Sequence, residues 1–190
     1  MTERRGFHDR QRCILRVDGE EAHEWLQSLI TNDISRLSAD NAVYAALLSP
    51  QGKYLFDFIC HDDGQGGVLL DVAANRAEDL LKRLGLYRIR RKVRVTHEDA
   101  LGVALIWGGE AAPDGAVPDP RSAAMGWRLL AEDPVAALAE RHVTPAARQE
   151  HEALRVAAGV PETGIELVPD DTHILEAGFE RLNGVDFRKG

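Results

Sequence analysis

The chain has 190 residues, of which 44% are hydrophobic and 28% are charged, and its formal net charge is −8. These values are typical of a globular protein with one large domain or two small ones, and the acidic balance argues against a surface devoted to nucleic acid. Its two cysteines, Cys13 and Cys60, predict neither a disulfide framework nor a metal site. The charged N-terminus lacks the apolar segment of a signal peptide and no apolar run could span a bilayer, so we expect a cytoplasmic protein without a membrane partner.

The first half of the sequence predicts a small sheet covered by two helices. Apolar residues at helical spacing favour helices over residues 20–30 and from residue 75 or 76 to residue 86. Strands are predicted over residues 12–17, 42–48, 53–61 and 68–72, and the Pro/Gly turn at residues 49–52 predicts that the second and third form a hairpin. Residues 31–33 have the composition of a helix C-cap followed by a turn.

The second half alternates less regularly. We predict strands over residues 101–107 and 125–130, a surface loop over residues 108–121, and helices over residues 134–140 and 145–158. Thr144 and Pro145 are the expected N-cap and first residue of the last helix. Segregated strands and helices without a βαβ rhythm indicate an α+β fold with a mostly antiparallel sheet.

Three segments carry charge that needs an explanation. Asp57 lies between Leu55 and Ile59 on the predicted strand, and we favour a solvent-facing position over a pocket because an ionised aspartate is rarely buried without a partner. The basic run at residues 87–95 is either a solvated strand edge, which we favour, or an anion site. The triplets at residues 61–63 and 97–99 contain potential metal ligands, but adjacent residues point in different directions and no metal site is expected.

The last segment, residues 154–190, is rich in Gly and Pro after its helical start. This composition predicts several fixed turns rather than one long element. A loop of this kind either wraps the domain as an arm or lies against a ligand, and we favour the arm.

Several motifs, in order and spacing, resemble the YgfZ group of folate-binding proteins and the related T-protein (aminomethyltransferase) of the glycine cleavage system. Their characteristic patterns include a helix ending in TND, L-x-P-x-G-R followed by Asp, Y-x-L-R-x-K-V, DPR with G-x-R, and R-x-x-x-G-[VI]-P. The matching residues are 26–33, 48–53 with Asp57, 87–93, 119–121 with 126–128, and 155–161. Residues 182–190 resemble the entry to the group's F-x-K-G-C-Y-x-G-Q-E signature.

The resemblance implies a T-protein-like folate-binding region over residues 1–190, with two interlocked α+β subdomains at about residues 1–98 and 99–190. It implies a tetrahydrofolate-binding accessory protein for iron–sulfur cluster assembly or repair, more a maturation factor than an enzyme. Iron–sulfur assembly proteins or client enzymes would be its partners. By position, Tyr44, Asp57 and Glu166 match folate-contacting residues of T-protein relatives, with Tyr44 packing on the pterin, and Lys189 belongs to the final signature.

Two departures from the family pattern leave alternatives open. Thr163 stands where T-protein has Tyr, and Ala157 stands where it has Glu, which argues against the alternative of a folate-dependent aminomethyl transferase. The sequence stops before the signature cysteine, so we expect the family's C-terminal β-barrel to be missing here. A docking module without ligand, which would use the basic run at residues 88–94, is the third possibility.

Overall fold

The computed structural model describes residues 3–189, which form ten strands and four α-helices. The strands are β1 Arg5–His8, β2 Arg12–Asp18, β3 Val43–Leu48, β4 Tyr54–Asp62, β5 Val68–Ala73, β6 Arg94–His97, β7 Gly102–Trp107, β8 Val117–Pro118, β9 Trp127–Ala131 and β10 Thr144–Pro145. The helices are α1 Ala22–Leu29, α2 Ala77–Tyr87, α3 Pro134–Glu140 and α4 Arg148–Ala157. The predicted α+β class is confirmed.

The first sheet has the order β3-β4-β5-β2-β6 and is antiparallel throughout. The predicted hairpin is present, with Val43 opposite Cys60 and Leu47 opposite Phe56. Apolar side chains of this sheet, among them Phe58, pack with Trp25 of α1 and Leu80 of α2 in the largest core cluster. Both helices therefore cover the same face of the sheet with their apolar sides. The other face packs against residues from the second half of the chain.

The second sheet has the order β10-β1-β7-β9-β8, and its inner strand β1 comes from the start of the chain. This strand was not predicted; it pairs antiparallel with β7 and parallel with β10. The prediction of Thr144 as N-cap and Pro145 as first residue of the last helix is wrong, because these two residues form β10. The helix begins at Arg148, and Ala147 is its N-cap. Strands β2 to β6 build the first sheet, and β7 to β10 belong to the second. Strand β1 comes from the start of the chain but also belongs to the second sheet, so the sheets do not divide at residue 98. The two predicted subdomains therefore stay a prediction.

Asn32 ties the first sheet to the C-terminal arm, residues 158–189, in which only turns and isolated bridges are assigned. Its side-chain amide donates to the carbonyls of Tyr44 (2.8 Å) and Asn183 (2.6 Å), and the Thr31 hydroxyl donates to the Gly184 carbonyl (2.6 Å). A Cβ at Gly184 would lie 2.6 Å from the Phe179 ring, so only glycine allows this approach. The TND motif is therefore an anchor for the arm as well as the helix end that the sequence predicted.

The basic run is largely a turn that leads into the edge strand β6. Arg91 pairs with Glu21 (2.8 Å), Lys92 with Glu20 (2.7 Å) and Arg94 with Asp18 (3.0 Å). These pairs satisfy three of the run's five basic side chains within the chain, in agreement with the solvated edge that we favoured over an anion site.

Candidate functional site

A cavity of about 460 Å³ lies where the two sheets, α4 and the start of the arm meet. Its lining combines residues 9–12, Asp57 and residues 73–75 on the side of the first sheet with Leu105, Arg121 and Arg128 on the side of the second. The remaining wall is formed by residues of α4 and by residues 161–163. The volume is that of a small-molecule site, and most of the polar lining groups are charged.

Asp57 is part of this lining and is 5% exposed, so the favoured solvent-facing position is wrong. The Tyr54 and Tyr44 hydroxyls donate to its two carboxylate oxygens over 2.8 Å and 3.2 Å, and the Thr163 hydroxyl donates over 2.5 Å. These three donors replace the water that the carboxylate loses on burial. Burial and the Asp57 charge raise the pKa of both tyrosines, so both keep their protons and donate.

A chain of buried ion pairs forms the floor of the cavity and joins the two sheets. Asp71 of β5 accepts from Arg12 of β2 (2.6 Å) and also pairs with Arg128 of β9. Asp119 accepts from Arg128 (2.9 Å) and Arg121 (2.8 Å). Burial would raise the pKa of Asp119, but Arg121 and Arg128 hold it well below its usual value. The DPR and G-x-R motifs thus supply three of the five members of this network.

The wall formed by α4 and the arm carries a second set of charges. Arg148 contacts Asp9 (2.8 Å) and Glu162 (2.7 Å), and Arg155 contacts Glu152 (2.9 Å). Arg148, Glu152 and Arg155 recur at helical spacing on one side of α4, which turns that side of the helix toward the cavity. His151, on the same helix, also lines the cavity and is buried.

The structure brings together two of the four predicted site residues. Tyr44 and Asp57 share a hydrogen bond, but the Tyr44 ring is fully buried, stacked on Phe179 at 4.9 Å, with the Arg121 guanidinium 5.7 Å from its centre. The predicted packing of this ring on a pterin is therefore wrong, because the ring packs within the protein and contributes its hydroxyl group to the site.

Glu166 and Lys189 lie outside the lining of this cavity. Glu166 accepts from Arg155 (3.1 Å) and from the backbone N–H of Glu162 (2.9 Å), with its side chain 47% exposed. Lys189 donates to the Ile30 carbonyl, and burial lowers the pKa of its ammonium group. Their assignment as folate contacts stays a prediction, and it requires a ligand that extends beyond the cavity.

Sequence reasoning missed Glu162, His151 and the arginines of the floor. Glu162 lies in a loop, and the local sequence does not predict the backbone conformation that places it on the cavity wall. The spacing of His151 with Arg148 and Arg155 could have indicated its role. Three polar residues on one side of a helix indicate a side that faces solvent or a polar cavity rather than the hydrophobic core. Within residues 3–189, no group of three or more His, Cys, Asp or Glu side chains is placed to hold a metal ion.

Comparison with known proteins relates this geometry to named relatives. No protein-family model matches the chain. The human protein named iron–sulfur cluster assembly factor IBA57, mitochondrial, is 34% identical over 94% of the chain and 57% of its own length. The Neurospora crassa homologue of the same name is 29% identical over 94% of the chain and 46% of its own length. These proteins are homologues of this chain. The chain spans about half the length of these curated relatives.

The predicted T-protein fold is confirmed by a solved structure. The aminomethyltransferase T of the glycine cleavage system from Bartonella henselae superposes with a TM-score of 0.69 at 20% identity, over 90% of this chain and 55% of that protein. At this identity the match shows the fold alone. The predicted cytoplasmic location is contradicted, because the names of the sequence relatives place them in mitochondria. No helix within residues 3–189 is both long and apolar enough to cross a membrane.

Proposed function

We propose that this chain is the folate-binding part of a YgfZ-type factor that acts in iron–sulfur cluster assembly or repair. The relatives named as assembly factors support the process, and the T-protein fold supports the ligand class. The observation that carries the proposal is the buried carboxylate of Asp57 in a cavity of small-molecule size. A cavity lined by both carboxylates and arginines suits a ligand that offers both N–H donors and negatively charged or carbonyl acceptors, as reduced folates do.

The hydrogen bonds of Asp57 limit what it can do for such a ligand. A carboxylate offers about four acceptor positions, and hydroxyl groups already occupy three of them on Asp57. It can therefore accept about one further hydrogen bond, from a single N–H group of the ligand. The guanidinium groups of Arg12 and Arg121 also line the cavity, and each carries five N–H donors, more than its ion pairs use.

The structure gives the transferase alternative no specific support. Thr163, which replaces the tyrosine of T-protein, donates directly to Asp57, so the replacement contacts a residue that matches a folate-contacting aspartate of T-protein relatives. We therefore propose an accessory role without aminomethyl transfer. Formation of methylenetetrahydrofolate by the purified protein from an aminomethyl donor would contradict this.

Calorimetric titration with 5-formyltetrahydrofolate tests the ligand. We expect saturable binding and a loss of at least about tenfold in affinity for Asp57→Asn, because the ligand N–H then meets an amide without charge. Asp40→Asn, a change at an exposed aspartate, is the matched control. Absence of binding by the unchanged protein, or equal affinity in Asp57→Asn, would refute folate as the ligand of this cavity.

A second measurement tests the process. Cells that lack the protein should lose activity of an enzyme with a [4Fe–4S] cluster, and the complete gene should restore it. The gene carrying Asp57→Asn should restore it only in part if folate binding serves cluster assembly. Full restoration by this variant would show that the role in cluster assembly does not depend on folate binding at Asp57.

A further inference from the structure

Two buried polar atoms on the wall formed by α4 and the arm have no hydrogen-bond partner within residues 3–189. One is Nε2 of His151, a residue that is only 4% exposed. The other is Oε2 of Glu162, which lies 3.3 Å from Arg155 Nε without forming a hydrogen bond. Both residues line the cavity. Buried polar atoms in proteins are almost always satisfied, so this pair on the wall of one cavity is open to a partner from within the cavity, either a bound molecule or ordered water.

Both side chains are held in place by contacts that leave these atoms available. The His151 ring lies against Trp107, with centres 5.5 Å apart, and against Phe7 at 6.0 Å. The other carboxylate oxygen of Glu162 accepts from Arg148 over 2.7 Å. A ligand would therefore meet fixed groups and would not have to order them, which favours affinity.

Their protonation states define the complementary ligand. Burial, followed by the charges of Arg128 and Arg121, lowers the pKa of His151 to about 4, so the ring is neutral at pH 7 and carries one N–H. Burial and the neighbouring Glu152 raise the pKa of Glu162, which Arg148 and Arg155 counteract. As a carboxylate, Glu162 only accepts hydrogen bonds, whereas His151 Nε2 donates or accepts according to its tautomer.

We propose that His151 and Glu162 form a polar subsite for the edge of a ring that carries an N–H donor next to a second polar atom. An aminopyrimidinone, the edge that a pterin presents, has this chemistry. The inference rests on the proposed function for the identity of the larger ligand. It assigns ring recognition to Glu162 on the cavity wall, while Asp57 adds a single hydrogen bond.

Two substitutions test the subsite in the intact chain. His151→Phe keeps a ring against Phe7 and Trp107 but removes the nitrogen. Glu162→Gln turns its carbonyl toward Arg148 and presents an N–H₂ group to the ligand donor. We expect each change to lower the affinity for 5-formyltetrahydrofolate about tenfold to hundredfold, because a hydrogen bond to a charged or fixed group is lost. Glu180→Gln, a change at an exposed glutamate of the arm outside the cavity lining, is the control and should change affinity less than about threefold.

A fragment measurement separates failure of the subsite from failure of the proposed function. In ¹⁵N spectra of the histidine rings, 2-amino-4-hydroxypyrimidine should shift His151 saturably in the unchanged protein and not in Glu162→Gln. Wild-type affinity for folate in both variants would overturn the subsite and leave the proposed function standing. A Glu162-dependent fragment shift without folate binding would do the reverse. Absence of any His151 shift with either compound would overturn the subsite, with ordered water as the remaining partner of both atoms.

Discussion

The floor and the α4 wall of the cavity are both built from charged side chains, yet they use their charges differently. On the floor, Asp71 and Asp119 each contact two arginines, and Arg128 contacts both aspartates. On the wall, His151 and Glu162 each keep one buried atom without a hydrogen bond within residues 3–189. The floor is thus satisfied by the protein itself, whereas the wall leaves two buried polar atoms without a partner among the described residues.

This difference separates a structural role from a binding role within one cavity. Burying charges is costly, and the cost is recovered only when every charge has partners in good geometry. The floor meets that condition and holds the two sheets in one relative position. Charged residues around a cavity are therefore poor indicators of a binding site until their internal partners have been counted.

The largest expected effect comes from breaking the floor. Arg128→Met should lower the free energy of unfolding by about 3 kcal/mol or more, because two buried aspartates each lose a partner. Urea unfolding followed by circular dichroism measures this. Arg94→Met, which removes an exposed pair with Asp18, is the control and should have a much smaller effect. Similar losses for both variants would mean that the buried network adds nothing beyond a surface pair.

The protonation of His151 gives an intermediate effect that is specific to the wall. Its pKa is about 4 in the fold against an ordinary 6.5, so the unfolded chain takes up the proton first as the pH falls. Its contribution to stability is complete above pH 6.5 and decreases from there toward pH 4. Between pH 7 and pH 5 the loss should be about 2 kcal/mol.

His61 also has a pKa lowered to about 4, mainly by burial, and Glu162 shifts in the opposite direction, so the contribution of His151 must be isolated by difference. Urea unfolding at both pH values should show a smaller loss in His151→Phe than in the unchanged protein, by about those 2 kcal/mol. An equal loss in both proteins would show that His151 is protonated in the folded state at pH 5.

The smallest expected effect lies at Asp57, where the arm meets the sheet. Tyr54→Phe removes one of three hydroxyl donors and should cost about 1–2 kcal/mol of stability. Tyr87→Phe is the control, because the Tyr87 hydroxyl has no hydrogen bond within residues 3–189. If Tyr54→Phe unfolds at the same urea concentration as Tyr87→Phe, the two remaining hydroxyls are enough to hold the buried carboxylate.

Local patterns in the sequence predicted most elements of the fold. The hairpin of β3 and β4 followed from strand alternation and a Pro/Gly turn, and α3 was predicted at its observed bounds, Pro134–Glu140. Strands β1 and β10 were missed because they are short and their partners lie far away in the sequence. Isolated segments of four and two residues carry too little periodicity to be recognised as strands.

The site was harder to predict than the fold because it depends on which side chains meet. The resemblance suggested Asp57, but its buried carboxylate accepts from Tyr44 of β3, from Tyr54 of its own strand and from Thr163 of the arm, more than a hundred residues away. Glu166 was chosen by resemblance, whereas the structure places Glu162, four residues earlier, on the cavity wall. No local pattern distinguishes these two glutamates.

The pairing of β1 with strands from the second half of the chain has a consequence for the order of folding. This strand joins β7 about 100 residues later, and β10 farther still, so its partners leave the ribosome long after it does. The first sheet can assemble from nearby segments while β1 remains unpaired. The second sheet is complete only when β1 joins it, so the cavity between the two sheets closes after the segments of β7 and β10 have been made.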